Sequence, residues 1–71
     1  MSDTLKCMAR EYRANAEKLL GRIKELKAML AQTDKKTADY ARLMGRIRMY
    51  ESIYAENMST AVYLENYHEE H

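Results

Sequence analysis

The sequence predicts an all-α protein, a two-helix antiparallel hairpin, and three observations predict it. Proline, phenylalanine and tryptophan are absent and only two glycines occur, while Ala, Leu, Met, Glu, Lys and Arg dominate, a composition that favours long helices over strands. Apolar residues recur every seven positions in both halves of the chain. A short polar stretch containing the weak helix formers Thr33, Asp34 and Thr37 separates the two halves.

The first helix is expected over residues 3–31. Leu5, Tyr12, Leu19 and Leu26 are spaced by sevens, and Ala9, Ala16, Ile23 and Leu30 follow each of them at i+4, so one apolar stripe runs its length. Ser2 or Asp3 can cap it with a side-chain oxygen. A turn is expected at 32–36. The second helix, 36–68, repeats the pattern with Tyr40, Ile47, Tyr54 and Ala61 every seven, joined by Leu43, Tyr50 and Leu64 and widened by Met44 and Met58. Thr33, Asp34 or Thr37 can cap it.

The alternative is one continuous helix in a coiled coil, because the seven-residue register passes unbroken from Leu26 through Thr33 to Tyr40 and no Gly or Pro interrupts it. Such a rod would be roughly 105 Å long at 1.5 Å per residue, against under about 50 Å for a hairpin. Weak helix formers at Thr33, Asp34 and Thr37, and Thr33 and Lys36 at successive core positions, favour the hairpin. Folding back near Asp34 sets Asn15 opposite Asn57, either as a buried pair that fixes register or as two exposed edge residues.

The whole chain, 1–71, reads as one domain, and at 71 residues it is too small for a self-sufficient core. Cys7 is the only cysteine, so no internal disulfide can help, which fits a reducing compartment. No apolar run approaches the roughly 18 to 20 residues needed to span a bilayer, and Met1 to Arg10 does not read as a secretion signal, so the expected setting is cytoplasmic without a membrane partner. Help is expected from a second copy. The second helix carries more apolar surface than one neighbour covers, and a homodimer forming a four-helix bundle buries it through Met49, Tyr50, Ile53, Tyr54, Met58, Val62 and Tyr63, with Tyr67 beside them. Tyr and Met at helical spacing suit an interface better than a cofactor pocket, and no cofactor is expected.

A weak internal repeat aligns Ala14–Ala31 with Ala38–Ala55, identical at six of eighteen positions and clearest in LLGRIK and LMGRIR. Each copy puts a glycine in mid-helix at a cost of about 1 kcal/mol relative to alanine, which points to close approach of another helix or a slot for a tyrosine ring, a hinge being the rival reading.

Charge is balanced overall and segregated along the chain. Residues 18–48 hold nine Lys or Arg against three acids, and the remainder holds three against eight, so a hairpin has a basic turn end and acidic tips. Lys35, Lys36, Arg42, Arg46 and Arg48 form the candidate contact for nucleic acid or an acidic partner, although Glu25, Asp34 and Asp39 interrupt the basic run and no recognition motif accompanies it. Cys7, His68 and His71 are the one conceivable metal set, short of the four ligands a structural zinc takes, and no metal is expected. Ser2, Ser52 and Ser59 lack a histidine and acid at catalytic spacing, no glycine loop cradles phosphate, and the chain reads as a non-enzymatic interaction or scaffold module.

The segment EYRANAEKLLGRIKELKAML, followed by a charged turn and a Tyr-rich second helix, resembles short helical-hairpin proteins of mobile elements in Gram-positive gut bacteria. That resemblance carries no activity; it implies a bacterial cytoplasmic setting beside transcription or transfer genes.

Overall fold

Two helices of thirty residues each, α1 (Ser2–Ala31) and α2 (Ala38–Tyr67), lie antiparallel in the computed structural model, which describes the backbone of residues 2–67 and the side chains of 4–67. The molecule measures 54 × 14 × 12 Å, the length of one thirty-residue helix with its turn, so the continuous rod is excluded.

The connection turns without glycine and without any residue of positive φ. Gln32 N–H donates to Met29 C=O at 3.1 Å and Thr33 N–H to Leu30 C=O at 3.0 Å, tightening the last turn of α1, and the Thr33 hydroxyl donates to Met29 C=O at 2.7 Å. Asp34 then organises the reversal, its carboxylate accepting from Lys36 N–H at 3.0 Å and its carbonyl from the Thr37 N–H and hydroxyl. The Thr37 hydroxyl in turn accepts from Tyr40 N–H at 3.3 Å, so Thr37 is the cap and α2 opens at Ala38, two residues later than the sevenfold pattern suggests. The turn is longer than expected because Asp34 and Thr37 satisfy backbone groups that a helix beginning at residue 36 would leave to water. The candidate caps of α1, Ser2 and Asp3, have side chains outside the described residues.

The stripes meet as the sevens require. Ile23, Leu26 and Ile47 form a buried cluster toward the turn, with Leu30, Leu43, Tyr50 and Tyr54 packed against it. Toward the tips the buried residues are Ala9, Ala16 and Ala61, with Leu64. Two ion pairs fix the register, Arg13 with Glu65 and Lys27 with Glu51, fourteen residues apart on each helix. Toward the tips the small buried residues let the two helices approach closely. Asn57 is half-buried, Asn15 is exposed and no hydrogen bond joins them, which removes the buried pair.

Gly21 and Gly45 are both exposed, and a Cβ on either would meet nothing within 4 Å. Neither admits a neighbouring helix or a tyrosine ring within the hairpin, because each lies on the side of its helix turned away from the seam.

Candidate apolar interface

The hairpin has two flanks where α1 and α2 run side by side, and they differ in chemistry. One is closed. Arg13 grips Glu65 with two hydrogen bonds, from Nε to Oε2 and from Nη2 to Oε1 at 2.7 Å, and Lys27 Nζ reaches Glu51 at 3.3 Å. Residues seven apart share a helix face, so Leu20 lies between Arg13 and Lys27, level with half-buried Met58 between Glu51 and Glu65. The sequence of contacts is therefore ion pair, apolar pair, ion pair. Arg13 holds the Glu65 carboxyl below its ordinary value, chiefly through the hydrogen bond it donates, with desolvation opposing; the same bond raises the Arg13 guanidinium.

The other flank is open. Met8, Asn15, Arg22 and Met29 follow one another by sevens along α1, and Asp39, Arg46, Ile53, Thr60 and Tyr67 along α2; among the described residues the ion pairs near this flank lie within one helix. The Arg22 guanidinium instead pairs within α1, 3.7 Å from Glu25, and Arg42 pairs within α2, 3.7 Å from Asp39. At the turn end the flank opens into a groove of about 540 Å³ lined by Met29, Thr33, Asp39, Arg42, Leu43 and Arg46.

Apolar side chains on this flank stand in solvent. Ile53 is 39% exposed, Met49 51% and Tyr63 63%, and Met8, Met29 and Tyr67 are also well exposed. The rings of Tyr63 and Tyr67, one turn apart, sit 6.0 Å centre to centre at 50°, a tilted aromatic pair at the tip. The seven residues expected to cover a partner thus separate. Met49, Ile53 and Tyr63 are exposed on the open flank. Tyr50 and Tyr54 are half-buried against the cluster of Ile23, Leu26 and Ile47, where they contribute to the hairpin's own seam. Met58 is half-buried on the closed flank, and Val62 is exposed on the outer side of α2 toward that flank.

Lys35, Lys36, Arg42, Arg46 and Arg48 are all exposed near the turn but do not form one surface. Arg42 and Arg46 line the groove, whereas Arg48 lies about 200° around α2 from Arg46. Cys7 is exposed; His68 and His71 lie outside the described residues, and among the described residues no three His, Cys, Asp or Glu side chains cluster to hold a metal. No described helix is long and apolar enough to cross a membrane. What the periodic pattern missed is the asymmetry of the flanks. Its signal was present in the sevens beside the core stripe, basic at Arg13 and Lys27 facing acids at Glu51 and Glu65, and apolar at Met8, Met29 and Ile53.

Comparison with known proteins returns no matching family, no matching curated protein and no matching solved structure.

Proposed function

We propose that the chain is a non-enzymatic interaction module that works as a homodimer, two hairpins joined through the open flank into a four-helix bundle. The observation that carries this reading is the set of exposed Met, Ile and Tyr side chains spaced along one flank, beside a flank bridged by two ion pairs. The size of the core supports it. Among the described residues only Ile23, Leu26, Ile47 and Leu64 are large and buried, the remaining buried apolar residues being alanines. A hairpin with so small a core gains stability by covering the open flank with a second copy. Tyr and Met suit such a surface, one offering a broad ring with few rotamers and the other an adaptable chain.

Sedimentation equilibrium tests the reading. The expected species at micromolar concentration has twice the 8.4 kDa mass of the chain, and a stable, fully helical monomer would refute it.

The groove beside Arg42 and Arg46 supports a second reading, a small nucleic-acid-associated regulator that grips phosphate at the turn end. It requires binding to labelled duplex DNA or RNA that weakens steeply with salt, and no binding at low ionic strength would end it.

A further inference from the structure

On the open flank α2 carries a second heptad seam, one residue out of step with the seam that faces α1. One row runs from Asp39 through Arg46, Ile53 and Thr60, and the next from Arg42 through Met49, Glu56 and Tyr63, alternating by three and four. Its charges are arranged in order, with Arg42 and Arg46 toward the turn, Met49 and Ile53 in the middle and Glu56 beyond them. A pattern of positive, apolar and negative residues along one helix face is complementary to itself when reversed.

Resting on the homodimer proposed above, we infer that the second copy docks antiparallel along this seam, about a two-fold axis near Glu51 and Ser52, with Arg46 of each protomer paired to Glu56 of the other. In that register Met49 meets Ile53 across the axis, Arg42 meets Thr60, and Asp39 meets the hydroxyl of Tyr63, each pair made twice. Every pair joins a residue of one row to a residue of the other, the layer geometry of two antiparallel helices in contact.

Other registers are poorer. A slide of one heptad sets Glu56 against Ile53 in one direction and against Asp39 in the other, burying a carboxylate on an apolar side chain or opposing two acids. A slide of two carries the partner position of Arg46 past the end of α2 in one direction and sets it against Arg42 in the other.

A charge-swap cycle decides between these registers. Arg46 and Glu56 are both exposed, so the variants retain the hairpin, and their helicity is confirmed by circular dichroism. With Cys7 kept reduced, Arg46→Glu and Glu56→Arg each raise the dimer dissociation constant by about tenfold, since each reversal sets two pairs of like charges together. The double variant R46E/E56R restores the opposite pairing and recovers the wild-type constant. Single variants that dimerise unchanged, or a double variant that fails to recover, overturn this register while leaving the homodimer standing. A wild-type chain that stays monomeric at about 100 μM, against the micromolar affinity expected, overturns both. Isotope-filtered contacts in half-labelled wild-type protein test the register without mutation: the Met49 methyl is expected against Ile53 of the other chain, and a contact with Tyr67 of the other chain instead refutes the inference.

Discussion

The closed flank and the open flank of the hairpin share one core and one register, yet they answer water in opposite ways. On the closed flank, Arg13 with Glu65 and Lys27 with Glu51 bridge α1 to α2, with half-buried Met58 and the 36% exposed Leu20 between them. On the open flank the cations pair within their own helices, Arg22 with Glu25 and Arg42 with Asp39, and Met49, Ile53 and Tyr63 remain in solvent. Ion pairs between helices close a surface against further partners, while charges satisfied within one helix leave the apolar residues beside them available. The flanks differ by which residues stand one position either side of the core stripe, and that choice separates a surface bridged by ion pairs from one whose charges pair within single helices.

The largest effect is expected from the seam common to both flanks. Among the described residues Leu26 is the most deeply buried large side chain, and Leu26→Ala should cost about 2 to 5 kcal/mol, enough to unfold so small a domain in a thermal melt followed by circular dichroism. The next prediction sets the flanks directly against each other. Ile53→Asp places a charge in the middle of the proposed interface and should raise the dimer dissociation constant by at least about tenfold while the helices persist. Leu20→Glu, on the closed flank, should leave the constant unchanged; equal effects at the two positions would remove the distinction.

How far the sequence foretold these features depends on the distance of each from the core stripe. Leu26, Ile47 and their neighbours were legible because helical periodicity and burial select the same residues. The turn was legible in place and less so in length, since capping by Thr37 and the Asp34 side-chain turn are choices among equally suitable oxygens. Tyr50 and Tyr54 satisfy both an inward and an outward reading of the pattern, and only the register of two real helices assigns them to the seam. Gly21 and Gly45 misled because a costly residue suggests a close contact, and the space beside both is empty.

That empty space gives a prediction of intermediate size. Gly21→Ala should stabilise the fold by about 1 kcal/mol in urea denaturation, and Gly45→Ala by about the same, because helix propensity improves and no atom must move. Removing the cap with Thr37→Ala should cost about 1 kcal/mol and act equally on both flanks.

The smallest effect belongs to the closed flank itself. Glu65 titrates below its ordinary value of 4.5, so its contribution is present above that pH and is lost as pH falls through the lower value of the folded state. The hydrogen bond to Glu65 raises the Arg13 guanidinium above its ordinary value, so its contribution is complete at neutral and acidic pH. A shallow loss of stability on acidification should therefore accompany protonation of Glu65 and be absent in Arg13→Ala, as pH-dependent melts would register; both side chains are exposed enough for salt to weaken the effect.

The methionines supply the most direct measurement of the central claim, because Met29 and Met49 lie on the open flank and Met44 and Met58 flank α2 on the other side. Methyl NMR spectra of labelled protein, recorded on dilution, should show Met29 and Met49 shifting as dimers dissociate while Met44 and Met58 hold their positions. Shifts at Met44 and Met58, or no shift at any methyl across the dilution, would contradict a hairpin that pairs through its open flank.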